Sequence, residues 1–234
     1  MRTLWYISYS PWSRKARMAL AHHQVEYERR PYKIPFDELM LRARLRQFGG
    51  KLTVPVLFDG ENIVRDSYDI ARHAEALGNG SPLFEDEPSC HRWNALSDEA
   101  LAAARRGALE RVLEDKEAQR ENLRGLVPNR LVIPLTPVAR LATRRMLKKY
   151  PGGGEARLVT ILEELRAALA GGDTILDEFS YADIAMGLVV DFVKPVPLRS
   201  RGPATERIWA VPGLEARFGD LVQWRDRVLN RHGN

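Results

Sequence analysis

The sequence predicts an α/β domain followed by an all-helical domain. Strand and helix signals alternate from Thr3 to Leu77, the turn-rich run Gly78-Asn79-Gly80-Ser81-Pro82 ends that alternation, and beyond it apolar residues recur at helical spacing with weak strand signals. A chain of 234 residues is long enough to bury two cores. The expected division is an α/β domain over 1–78, a linker over 79–88 and a helical domain over 89–234.

Thr3 to Ser8 is β-branched and aromatic and predicts the first strand. Ser10-Pro11 follows, a cap residue before a proline at the first helical position, and Trp12, Ala16, Ala19 and Leu20 then recur at helical spacing. Val25 to Arg30 predicts a second strand, and Pro35-Phe36-Asp37-Glu38 opens a second helix that Gly49-Gly50 closes. Thr53 to Phe58 reads as a strand with Pro55 inside it; Asp59-Gly60 is a hairpin turn and Asn62 to Arg65 the returning strand. Asp66-Ser67 caps a third helix that runs to about Leu77. This order gives a right-handed βαβ unit plus a hairpin, hence a four-stranded mixed sheet with helices on both faces.

In the second half, helices are expected over 89–123, 137–149, 153–170, 180–193 and 213–230. Breaks are expected from Gly125 to Pro134, at Pro151-Gly152-Gly153-Gly154, at Gly171-Gly172 and over a long basic loop from Pro195 to Pro212. Ser180 with Asp183 three positions on forms a capping box, and the apolar run behind it covers most of the helix circumference, so this helix is expected at the buried centre of its domain.

Composition narrows the function classes. With 44% apolar and 29% charged residues, the chain falls in the range of ordinary globular proteins. No window approaches the length of a membrane span, and charge resumes at Arg14, which argues against a signal peptide. A single cysteine, Cys90, makes neither an internal disulfide nor a cysteine zinc cluster, and the five histidines form no metal-ligand spacing. No metal, no membrane partner and a cytoplasmic location are therefore expected. The net charge of +5 is spread among acidic neighbours, and Arg140, Arg144 and Lys148 share one helical face that reads as solvated, so no nucleic-acid partner is expected.

Three local features bear chemistry. Ser10-Pro11-Trp12-Ser13 lies at a helix start, where unpaired N–H groups and the helix dipole favour an anion; Ser10 either caps the helix or donates to a ligand thiolate there. A proline in Thr53-Val54-Pro55-Val56-Leu57 lacks a ladder donor, so it is either an edge residue or a cis linkage that turns the preceding backbone towards a ligand. Asp66-Ser67 is either an ordinary cap or a pair that meets an ammonium and a carboxylate.

These features, in YSPWSRKARMAL, TVPVLFDGENIVRDSYDIARH and GGDTILDEFSYADIAMG, resemble the glutathione transferase family in order and rough spacing across nearly the whole chain. The resemblance implies a thioredoxin-like N-terminal domain that binds glutathione and a C-terminal helical bundle. It implies Ser10 as the catalytic residue, with Tyr9 and Tyr6 as alternatives. It implies that Trp12, Lys51, Val54, Pro55 (as a cis-proline), Asp66 and Ser67 bind glutathione, although Leu52 and Thr53 stand where the family often has a Lys or Gln for the glycyl end. Ser13 occupies the place of the second cysteine in a glutaredoxin-type motif, so thiol–disulfide exchange by the protein itself is disfavoured. The implied activity is glutathione conjugation to a small apolar electrophile in a detoxifying homodimer, the first domain of one subunit against the second of the other. The alternative is a non-catalytic binding or interaction module on the same fold. Arg105 and Arg106 read either as a solvated helix face or as contacts to an anionic substrate.

Overall fold

The computed structural model describes residues 1–33, 36–124, 127–148, 150, 154–197 and 202–232, of which 229, 231 and 232 by backbone alone. Strand β1 (Arg2–Tyr6) runs through the middle of a four-stranded sheet of order β2-β1-β3-β4. β2 (Glu28–Pro31) lies parallel to β1, whereas β3 (Val56–Asp59) is antiparallel to it and β4 (Asn62–Arg65) closes the hairpin. The parallel neighbour follows from the crossover through α1 (Pro11–His22).

The pleat sorts the apolar residues of β1 and β3 onto two faces. Leu4, Tyr6 and Leu57 pack with Ala16 and Leu20 of α1 and with Ile70 and Ala74 of α3 (Ser67–Leu77). Trp5, Val56 and Phe58 face the other way, against Leu41 and Leu45 in and beside α2 (Glu38–Arg44). The result is a thioredoxin-like sheet, covered on both faces as expected.

The remaining elements are helical: α4 (Glu87–Glu114), α5 (Lys116–Glu121), α6 (Asn129–Leu147), α7 (Gly154–Leu169), α8 (Tyr181–Gly187), a 3₁₀ turn (Val190–Phe192), α9 (Pro203–Trp209) and α10 (Leu214–His232). Every residue of α8 is buried. Its Ile184 and Ala185 pack with Met18 and Ala19 of α1 and Ala71 of α3, while Ala182 and Met186 join the larger helical core. The Asp183 carboxyl accepts from Ser180 N (2.9 Å), Ser180 Oγ (3.0 Å) and Ile175 N (2.8 Å), which completes the capping box. Burial nevertheless pushes Asp183 up to about 6 against those donors.

Several boundaries differ from the sequence expectation for identifiable reasons. Pro55 precedes β3 instead of lying inside it, because a residue without an N–H contributes nothing to the ladder. The helix expected over 89–123 breaks at Asp115, whose side chain accepts from Glu117 N (2.8 Å) and Ala118 N (3.0 Å) and starts α5. α6 begins eight residues before the expected 137 and runs through Pro134 and Pro137. Both prolines are exposed, so the carbonyls that lose a helical donor remain open to solvent. The expected 180–193 helix tightens into the 3₁₀ turn after α8. The expected loop from Pro195 to Pro212 contains α9; Leu198, Arg199, Ser200 and Arg201 lie outside the described residues, as do Pro35 and Lys149.

Candidate functional site

The end of β1, the start of α1, the segment before β3, the start of α3, and the cleft-ward sides of α4 and α6 enclose a cleft of about 340 Å³. It is lined by Ile7, Tyr9, Ser10, Trp12, Tyr32, Lys51, Leu52, Thr53, Val54, Pro55, Asp66, Asp98, Arg105, Met146 and Tyr150. The structure thus brings together Ser10, Trp12, Lys51, Val54, Pro55 and Asp66, which lie far apart in sequence. The Val54–Pro55 peptide is cis.

Ser10 is the N-cap residue of α1 by position, and its carbonyl accepts from Arg14 N at 3.0 Å. Its side chain makes no capping hydrogen bond. The hydroxyl that serves the local backbone is that of Ser13, which accepts from Ile7 N at 3.1 Å. A helix-start hydroxyl on the cleft wall that is not used for capping remains available to a ligand atom.

Asp66 caps α3 by accepting from Tyr68 N at 2.9 Å, and it also lines the cleft. Its φ of 75° lies in a region that favours glycine, a conformation that costs on the order of 1 kcal/mol and recurs at ligand sites. Ser67 differs from the expectation: its side chain is fully buried, its hydroxyl faces that of Tyr181, and it is not part of the cleft wall. The Cβ of the first helical residue of α3 points into the protein, where the expectation had both Asp66 and Ser67 facing the ligand. Of the two alternative tyrosines, Tyr9 lines the cleft, whereas Tyr6 is buried in the sheet core under the guanidinium of Arg17.

Beneath Trp12 lies an ionic network that sequence reading missed. The Lys15 ammonium is fully buried and donates to Asn94 Oδ1 (3.0 Å) and Asp98 Oδ1 (2.8 Å). Trp12 Nε1 donates to the same Asp98 oxygen at 2.8 Å. Burial holds the Lys15 pKa below its ordinary value, opposed by the charges of Asp98 and, more weakly, Asp66. Farther along α1, Arg14 pairs with Asp191, which Arg225 also approaches at 3.4 Å. Two ion pairs therefore lock α1 to the helical half and fix the ring of Trp12 in the cleft wall.

Comparison with known proteins bears directly on this arrangement. Residues 9–77 match the family model for the glutathione S-transferase N-terminal domain. This chain has the glutathione S-transferase fold. Among solved structures, a glutathione S-transferase from Methylobacillus flagellatus KT with GSH bound superposes with a TM-score of 0.62 at 16% identity, covering 99% of this chain and 96% of that one. One from Methylobacterium radiotolerans, in complex with glutathione sulfonate, gives 0.60 at 22% identity over 98% and 91%. A glutathione transferase family member from Pseudomonas fluorescens Pf-5, with bound glutathione, gives 0.58 at 16% identity over 99% and 95%. No curated protein matches by sequence.

Two further features of this glutathione S-transferase fold bear on its chemistry. Cys90 is fully buried, donates to Leu83 O at 3.3 Å, and is pushed up by burial, so its thiol is placed as a core residue away from the cleft. Among the described residues no helix is long and apolar enough to cross a membrane, and no group of three or more His, Cys, Asp or Glu residues is arranged to hold a metal ion.

Proposed function

We propose that this chain binds glutathione in the cleft and stabilises its thiolate, with the Ser10 hydroxyl as donor, for attack on a small electrophile. The observation that carries the reading is the uncommitted Ser10 hydroxyl at the start of α1, in one cleft with Val54, Pro55, Asp66 and Lys51. The glutathione-bound transferases of the same fold support glutathione as the ligand. In this reading the α-ammonium of the γ-glutamyl end meets Asp66, the cysteinyl backbone meets that of Val54, and the glycyl carboxylate lies towards Lys51.

The step is simple in its balance. The thiol proton leaves to solvent, the sulfur lone pair forms the S–C bond, and the leaving group departs with its bonding pair. A free thiol has a pKa of about 8.5, so only about 3% is thiolate at pH 7. Lowering that pKa by about two units takes roughly 2.7 kcal/mol of preferential stabilisation. The thiolate fraction then rises about 25-fold, but lower basicity gives back about eightfold in nucleophilicity. Holding the electrophile beside the sulfur therefore carries most of the acceleration, a task for the α4 and α6 wall.

Titration calorimetry with glutathione, together with the thiolate absorbance of bound glutathione in wild type and Ser10→Ala, tests this. The expected result is micromolar to millimolar binding, with the bound thiol pKa rising by about one unit or more in Ser10→Ala. An unchanged thiol pKa reduces Ser10 to a helix-start residue, and absence of binding at millimolar glutathione leaves the non-catalytic module.

The same reading includes a homodimer. Leu131, Val138 and Leu141 are exposed on one face of α6, and Phe48 is exposed beyond α2, so both halves of the chain present apolar surface for a second copy to cover. Light scattering at micromolar concentration is expected to give twice the 26.6 kDa chain mass, and a monomer mass removes this part of the proposal.

A further inference from the structure

On the side of α4 and α6 the cleft is lined by Asp98, Arg105, Met146 and, just beyond α6, Tyr150. Among the described residues lining this side, Arg105 is the one cation, and three observations set it apart from its neighbours. Arg106 donates to Tyr150 O at 3.0 Å and pairs with Glu110 at 3.1 Å. Arg111 donates twice to Ile208 O and pairs with Glu155. Arg105, by contrast, makes no ion pair or hydrogen bond among the described residues, and its Nε is buried without a partner. Its guanidinium lies over the rings of Tyr150 (5.5 Å) and Trp209 (5.7 Å). Ring faces orient and partly desolvate a cation, but they leave its in-plane N–H donors unused.

Of the carboxylates along this helix, Glu110 pairs with Arg106 and Glu99 with Arg157, and Asp98, the one that lines the cleft, lies two turns before Arg105, about 10 Å away along the axis. It is already held by Lys15 and Trp12. An anion brought into the cleft therefore meets a charge at Arg105 that the protein has not neutralised.

Resting on the reading that glutathione binds with its sulfur at Ser10, we infer that the electrophile accepted here carries a carboxylate, which Arg105 holds above Tyr150 and Trp209. The guanidinium fork matches a carboxylate in two parallel hydrogen bonds, and the partly desolvated site strengthens both. An apolar electrophile of the same shape would leave the buried Nε unpaired, so the site discriminates between the two. Arg105 is a specificity-determining residue in this account and takes no part in bond making.

The test compares two glutathione conjugates that differ in one group: the 4-carboxy-2,6-dinitrophenyl conjugate and its 4-carboxamide. Calorimetry on the full chain is expected to show the acid binding at least about tenfold more tightly than the amide. In Arg105→Gln that preference is expected to vanish, with the amide's affinity kept within about twofold. Equal affinities in the wild type, or equal losses for both conjugates in the variant, would overturn the inference while leaving glutathione binding intact. Failure of both conjugates to bind the wild type would overturn the glutathione reading and the inference with it. Steady-state kinetics with 4-chloro-3,5-dinitrobenzoate and its amide give the same comparison in kcat/KM.

Discussion

A lysine with no exposed surface is the most demanding single residue in this chain. Lys15 lies on α1 between Arg14 and Ala16, where a sequence reader places a solvated cation, and nothing local marks it as buried. Its partners Asn94 and Asp98 are 79 and 83 residues away, so only the closed fold reveals the pair. The ammonium is desolvated completely while Asp98 remains 38% exposed, so the two ends of the bridge are unequal. Removing Asp98 strands a buried charge, whereas removing Lys15 leaves a carboxylate that water still reaches. Asp98→Ala is therefore expected to destabilise by about 2–3 kcal/mol at pH 7, somewhat below a fully buried pair. The sign of its pH dependence follows from Lys15. With a folded pKa below the unfolded one, the unfolded chain binds the extra proton, so stability rises with pH as the lysine range is approached. Losing Asp98 removes the largest influence that raises this pKa, and the rise then begins at lower pH. Urea denaturation is expected to show the Asp98→Ala deficit shrinking between pH 7 and pH 9; a deficit constant with pH would mean that Lys15 is not the group at risk.

Elements were legible where their signals are local and obscure where a distant residue supplies them. β1, β4, α1, α3 and the capping box at Ser180 and Asp183 are legible in their own residues, because strand alternation, a Ser-Pro start and a box spaced by three all lie within one turn or one strand. α9 reads as loop in its local sequence. Its N-terminus is capped from 83 residues away by Glu121, whose carboxylate accepts from Ala204 N (3.0 Å), Thr205 N (2.8 Å) and Thr205 Oγ1 (2.9 Å). Burial works against the charged form of Glu121, but those donors outweigh it and hold the pKa below the ordinary value. In α6 the prolines do not end the helix: a missing donor breaks a helix when the orphaned carbonyl is buried, and here it is not. The cleft wall follows the same rule. Ser10, Val54, Pro55 and Asp66 line it from local motifs legible in the sequence, Arg105 is legible only as one of two readings, Asp98 and Tyr32 reach it only through packing, and helix phase turns the Ser67 side chain into the core.

At the scale of the whole molecule, the junction between the α/β unit and the helical half holds two titratable groups that pull in opposite directions. His23 closes α1 with 1% of its surface exposed, and neither ring nitrogen has a hydrogen-bond partner. Its carbonyl accepts from Asn79 N at 3.2 Å, a Cβ at Gly78 would come within 2.0 Å of that oxygen, and one at Gly80 within 2.8 Å of the ring Nδ1, so the chain passes tightly over the residue and its ring. Burial, aided by the nearby His22, holds His23 down at about 4. The unfolded chain takes up this proton near pH 6.5, so stability is lost as pH falls from 6.5 towards 4, by up to about 3 kcal/mol. Asp183 behaves inversely. Its folded value of about 6 lies above the unfolded 3.8, so the folded chain binds the proton first and gains stability as pH falls through the same range, by up to about 3 kcal/mol. The two contributions nearly cancel in the wild type and separate when one is removed. In His23→Leu, which keeps the volume and cannot be protonated, only the Asp183 gain remains of the two. Urea unfolding of both proteins at pH 7 and pH 4.5 is expected to shift their stability difference by about 2 kcal/mol towards the variant at the lower pH. If that difference does not move, the imidazole is reached by water or paired on acidification, and the tight passage at Gly78 does not exclude solvent from it.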